Sequence, residues 1–231
     1  MMFVIILIIA LLGLSYLFCR IWMHWNISIR KISFESIQDL QNRLNDPLVV
    51  AERSLRKTAF SEVNMPLTES FYTDEDLDNS FDFIIVRDRK TKTPLLSSRS
   101  YTNQTLIHKQ LQAHETTDYL TLSLDSDEKY VLLDRLSAHS KHSLFSKSRK
   151  KIFINYYIHV LNFYPKHHLI LMARSEPDER LLTKYLRLGF QIVGKQKHNQ
   201  VDHWIVLLPG KNPTQSLAQS TKQYVLFKLF T

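Results

Sequence analysis

The chain has 231 residues, enough for one domain with a real core beside a short accessory segment. Thirty Lys and Arg against 22 Asp and Glu leave a formal charge of +8, which suits phosphates, an anionic membrane surface, or simply a solvated basic face. A single cysteine, Cys19, excludes an intrachain disulfide, and scattered charges without an aromatic-interleaved basic stripe argue against nucleic-acid binding.

Met2 to Cys19 is a continuous apolar run, broken only by Gly13, Ser15 and Tyr16. As a helix it would span roughly 27 Å, close to a bilayer core of about 30 Å. Arg20 can snorkel, Ile21 to Trp25 extends the apolar reach, and Trp22 and Trp25 suit the interfacial belt. No basic segment precedes the run and no small-residue cut site follows it, so an uncleaved anchor is favoured over a signal peptide. Arg20, Arg30 and Lys31 follow the run, which predicts a single-pass membrane protein with its main domain in the cytoplasm. The expected division is an anchor over 1–25, one domain over 26–210 and a tail over 211–231. Within that tail, Tyr224–Phe230 can add an edge strand or press on a membrane surface.

After the anchor, Ile27–Ile32 reads as a strand. Ser33 and Ser36 supply helix caps, and Ile37, Leu40 and Leu44 make one helix face. Pro47 starts a second helix carrying Leu48, Val49, Leu55 and Phe60. Thr68–Ser80 is a polar, acidic loop. Phe81–Val86 and Pro94–Tyr101 flank the polar turn 87–93 and form a hairpin. Leu106–His114 suggests a short helix, Tyr119–Leu124 a half-buried strand and Tyr130–Leu136 the next strand, followed by a loop to Ser148. Ile152, Tyr156, Val160 and Phe163 recur on one face of a long helix that Pro165 stops. His168–Ala173 is a buried strand. Leu181, Leu182, Tyr185 and Leu188 then stripe a short helix, and Gly189 sits where a left-handed cap is needed. A last hairpin joins 191–194 to 202–208.

The run Asp178–Phe190 resembles the C-terminal motif of the GNAT acyltransferase superfamily, Asn-x-x-Ala-x-x-x-Tyr-x-x-x-Gly-Phe. Asp178 stands at the Asn position, Leu181 at the Ala position, and Tyr185, Gly189 and Phe190 match. The predicted element order over 26–210 is similar to that of GNAT domains. The resemblance implies an α/β (α+β) fold, with a mixed, mostly antiparallel central sheet flanked by helices and preceded here by one transmembrane helix.

It also implies acyl transfer from a thioester to a small-molecule or peptide amine. GNAT enzymes splay one strand from its neighbour, offer its backbone to the donor's pantetheine arm, and wrap the pyrophosphate in a glycine-rich loop at a helix N-terminus, where the dipole favours anions. By that correspondence Leu136 and Ala138 would meet the arm. Ser143 takes the Arg position of the loop, while Leu144, Ser146 and Ser148 fill its glycine positions. Ser146, Lys147, Ser148 and Arg149 would cap the helix and meet a phosphate; capping alone, with exposed cations, is the competing meaning. Asp134–Leu136 and Glu179–Leu182 also resemble the autoinducer and long-chain N-acyl amino acid synthases of the same superfamily. The implied donor is therefore acetyl-CoA, another acyl-CoA or an acyl carrier protein.

Tyr185 is the candidate acid for the leaving thiolate, or a core tyrosine. Asp134 is the candidate base, or the partner of a neighbouring Arg. His139 is a rival base, or a loop residue. No histidine spacing suggests a ligand set, and no metal is expected.

Overall fold

The computed structural model describes residues 14, 21–22, 25–61, 80–112, 129–174, 180–187, 189–198 and 201–208. Most of the run Met2–Cys19, the loop Thr68–Asn79, the strand expected over Tyr119–Leu124, Asp178 and the tail 211–231 lie outside the described residues. Among the described residues, no helix is long and apolar enough to cross a membrane.

Twelve described elements follow in order: β1 (Ile27–Phe34), α1 (Ile37–Asn42), α2 (Pro47–Ser61), β2 (Phe81–Asp88), β3 (Pro94–Tyr101), α3 (Gln104–Gln112), β4 (Tyr130–Ala138), α4 (Ser143–Phe163), β5 (His168–Arg174), α5 (Arg180–Arg187), β6 (Gln191–His198) and β7 (Val201–Leu208). The strands make one seven-stranded sheet in the order β1-β2-β3-β4-β5-β7-β6. Every neighbouring pair is antiparallel except β4 and β5, which run parallel. The fold is therefore mixed α+β, with helices on both faces, as expected.

Period-two alternation sorts the strand residues between two cores. Ile84, Val86, Val131, Leu133, Leu169 and Val206 pack beneath α4 and α5. Phe83, Ile85, Leu132, Ile170 and Ile205 face α1, α2 and α3. Because both faces are covered, the central strands read as near-continuous apolar runs rather than alternating ones.

Local chemistry sets the helix ends. Ser36 caps α1 by accepting the amide of Asp39 at 3.2 Å. At the end of α5, Gly189 has φ 94°. Its amide donates to the Leu186 carbonyl at 3.0 Å, and the Phe190 amide reaches back to the Tyr185 carbonyl at 3.1 Å. These two bonds form a Schellman motif, and its customary apolar contact is the Tyr185–Phe190 ring pair, 5.4 Å between centroids. The Tyr-x-x-x-Gly-Phe spacing is thus a helix stop written in three residues.

The long helix departs from expectation. It begins at Ser143, not after Ser148, and His142 caps it by accepting the Leu144 amide on Nδ1 at 3.3 Å. Residues 143–147 contain no glycine or proline, so nothing in them resists helix. Ser148 (φ −125°, ψ 17°) interrupts the helix where the loop was expected to end.

Gly189→Val tests the cap. A β-branched residue at this φ should cost about 1–3 kcal/mol. Urea unfolding should show a lower midpoint; an unchanged midpoint would mean that the left-handed geometry is not required.

Candidate active site

The sheet divides between its two parallel strands. Pairing of β4 with β5 runs from Tyr130↔His168 to Leu133↔Leu171 and goes no further. Beyond that point β4 continues to Ala138, following β3, while β5 continues to Arg174, following β7. The result is a wedge open at the C-terminal ends of both strands. Its walls are the main chains of 134–138 and 172–174, which do not pair with each other across the gap.

A bulge turns β4 away. Ser97 pairs with Ser137 and Arg99 with Asp134, so three steps on β4 answer two on β3. The extra residue brings Arg135 into the left-handed region at φ 52°. An arginine there costs of order 1–2 kcal/mol that glycine would not, and bulges of this kind concentrate beside functional sites.

Asp134, at the edge of the bulge, is tied down. Its carboxylate accepts both Nε and Nη2 of Arg99, at 2.9 and 2.5 Å, with Asp134 9% and Arg99 1% exposed. Of the two readings of Asp134, the geometry shows the ion pair. Beside it on the same face, Glu52 and Arg56 of α2 form a second fully buried pair, and Ser97 Oγ donates to Glu52 at 3.4 Å. Charges this deep persist only when paired and hydrogen-bonded. The sequence reading passed over Glu52, Arg56, Ser97 and Arg99. The available signal was the Ser97–Ser100 run, four polar residues in the middle of a hairpin strand.

Tyrosines line the other face. The Tyr156 and Ser98 hydroxyls lie 2.5 Å apart, and those of Tyr164 and Ser100 2.8 Å apart, while Tyr164 also donates to Asp82. Tyr157 Oη donates to Tyr185 Oη at 3.2 Å. Burial pushes the phenols of Tyr156, Tyr157, Tyr164 and Tyr185 above the usual tyrosine value, so each is protonated at neutral pH. Tyr185 is 4% exposed and receives its hydrogen bond from Tyr157, which leaves its own proton to be directed elsewhere.

The structure does not gather the three candidate catalytic groups into one cluster. Asp134 faces α2 with Arg99, whereas Tyr185 belongs to the core beneath α4. His139 is half-buried at the end of β4, its amide on the Leu95 carbonyl at 2.9 Å and its ring 5.5 Å from that of His142.

Leu136 and Ala138 are half-buried on the wedge wall. Ser143, Ser146 and Lys147 are exposed on the first turns of α4, and Ser148 sits at its interruption. The guanidinium of Arg149 lies 6.0 Å from the ring centroids of Phe145 and Phe153. The expected phosphate-wrapping loop is therefore mostly helix, and the cap at its start is His142 rather than the serines. Asp178 lies outside the described residues. Among the described residues, no group of three or more His, Cys, Asp or Glu could hold a metal ion.

No protein-family profile and no curated protein matches the sequence. Solved structures do align. An acyl-CoA N-acyltransferase from Pseudomonas aeruginosa aligns at 15% identity and TM-score 0.47, over 79% of this chain and 100% of its own. Escherichia coli ElaA aligns at 15% identity and TM-score 0.48, over 79% and 100%. FeeM, an N-acyl amino acid synthase from uncultured soil microbes, aligns at 12% identity and TM-score 0.44, over 79% and 92%. These values describe a distant likeness.

The buried bridge yields a prediction. Asp134→Ala leaves the Arg99 guanidinium unpaired and should cost about 3–5 kcal/mol. The double variant Arg99→Met, Asp134→Leu should cost less than Asp134→Ala alone, by denaturant unfolding. A single-variant loss below 1 kcal/mol would mean that the pair does not carry the bulge.

Proposed function

We propose that the chain is a GNAT-type N-acyltransferase that moves an acyl group from an acyl-CoA or acyl carrier protein to an amine, held at a membrane by the apolar run Met2–Cys19 with its main domain in the cytoplasm. The observation that carries this reading is the wedge. Two parallel strands that part after Leu133 and Leu171 leave a strand-shaped gap between their main chains. A pantetheine arm, itself amide-bearing and extended, suits such a gap. The Tyr185–Gly189–Phe190 stop supports the same family reading.

In this proposal the wedge walls hold the thioester, and their amides stabilise the oxyanion formed when the amine nitrogen attacks the carbonyl. The carbon–sulfur bond then breaks, its electron pair goes to sulfur, and Tyr185 supplies the proton. His139, at the end of the β4 wall, takes the proton lost by the amine, and solvent exchange restores both groups. Asp134, held by Arg99, positions the bulge rather than acting as base. Arg149, set against the rings of Phe145 and Phe153, meets the phosphates that both kinds of donor carry. A second reading, a lapsed acyltransferase acting as a tethered binding module, is favoured by one observation: helix replaces the glycine-rich phosphate loop.

Calorimetry and turnover on the wild type and Tyr185→Phe separate the readings. The variant should bind acetyl-CoA, long-chain acyl-CoA or acyl carrier protein as the wild type does, with turnover lower by about 10-fold or more. If the wild type binds no donor, the enzyme reading fails. Equal turnover in the two proteins would remove only the role given to Tyr185.

A further inference from the structure

Cations that read as scattered in the sequence gather at one pole of the sheet. Residues 135–175 hold eight Lys and Arg and no Asp or Glu; Lys166 stands at the opposite pole, and the other seven lie on β4, α4, the connection between them or the end of β5. The stretch begins where β4 ends. The register places the start of β1, the end of β2, the β2–β3 turn, the start of β3 and the end of β4 at that same pole. Arg89, Lys90, Lys92, Lys141 and Lys147 are exposed there or on the adjoining first turns of α4. The carboxylate of Asp88, also at this pole, is turned inward. It accepts the amides of Lys90 and Thr91 and faces His142 Nε2 at 3.9 Å. Glu35, Asp39 and Asp46 stand at the opposite pole, beyond Phe34, while Asp202, in register with Lys197 at the start of β7, lies at the basic one.

The described residues just before β1 lie at the basic pole. Trp22 packs against the core beneath α4, Lys151 Nζ lies 5.2 Å from its ring centroid, and Asn26 Nδ2 donates to its carbonyl at 2.7 Å before β1 begins. Ile21 and Trp25, near it in sequence, are 45% and 74% exposed, large apolar side chains left in the open. A tryptophan so placed between an apolar run and a basic face has the chemistry of a membrane–water interface.

We infer that this pole is a docking surface for an anionic phospholipid bilayer, with Ile21 and Trp25 at the headgroup boundary and the cations of the β2–β3 turn and α4 on lipid phosphates. Each basic residue held near an anionic leaflet contributes a preference of about fivefold. The wedge opens at the same pole, so docking brings its mouth to headgroup level, next to the acyl chains beneath. The inference rests on the membrane reading above, but the two fail separately.

The test uses the full chain with vesicles of phosphatidylcholine alone or mixed with phosphatidylglycerol. It combines flotation with lysine-reactive footprinting read by mass spectrometry. Lys90, Lys92 and Lys147 should be protected several-fold on phosphatidylglycerol vesicles only, while Lys166, exposed at the other pole, keeps its reactivity. Lys90→Glu, Lys92→Glu should abolish most of the protection at Lys147. Flotation with both vesicle types without lysine protection would keep the anchor and overturn the docking surface. Salt-reversible flotation with phosphatidylglycerol vesicles alone, with the lysines protected, would keep docking and overturn the anchor. No flotation with either would overturn both. Protection by acyl carrier protein but not by phosphatidylglycerol would make the face a protein-docking site, against the inference.

Discussion

The Arg99–Asp134 bridge is the contact on which the rest of the site depends. It joins β3 to β4 where the register slips by one residue, and it holds Asp134 beside Arg135 in its left-handed turn. The bulge lies just beyond Leu133, where the parallel ladder with β5 stops. The bridge is buried, where an unpaired charge is severely unfavourable, so a register that separated Arg99 from Asp134 would be penalised. Glu52, Arg56 and Ser97 extend the same logic into α2.

The two faces of the sheet then take different roles. Charged pairs on the α2 face hold the strand that bends. Phenols on the α4 face sit among apolar residues, protonated, with hydroxyls bonded to Ser98, Ser100, Asp82 and one another. Tyr185 belongs to this second set, and its position follows from the Schellman stop at the end of α5, where Gly189 and Phe190 close the helix against the ring. A residue can thus be matched by motif for a structural reason, whatever further role it has.

Much of this fold was legible because its signals are local. Ser36 and Gly189 announce helix ends by conformational need, Pro47 a helix start, and the spacing of Ile152, Tyr156 and Val160 a buried face. The site was less legible because its determinants are relations between distant residues. Nothing near Arg135 suggests positive φ, since a glycine there would have been the usual sign. Asp134 looked equally like a base and an ion-pair partner until Arg99, 35 positions away, was placed against it. The start of α4 was misread because a family resemblance suggested a loop, whereas residues 143–147 have ordinary helix propensity and a capping histidine before them.

The central claim is that the parting of β4 and β5 is a donor site rather than a packing accident. Hydrogen exchange of the backbone amides, measured with and without a long-chain acyl-CoA or acyl carrier protein, addresses it most directly. The account predicts fast exchange in the free protein for wedge-facing amides within 134–138 and 172–174, slow exchange throughout 130–133, and slowing confined to the wedge when the donor is added. Equal protection along the whole of β4 in the free protein, or no change at the wedge with any saturating donor, would contradict it.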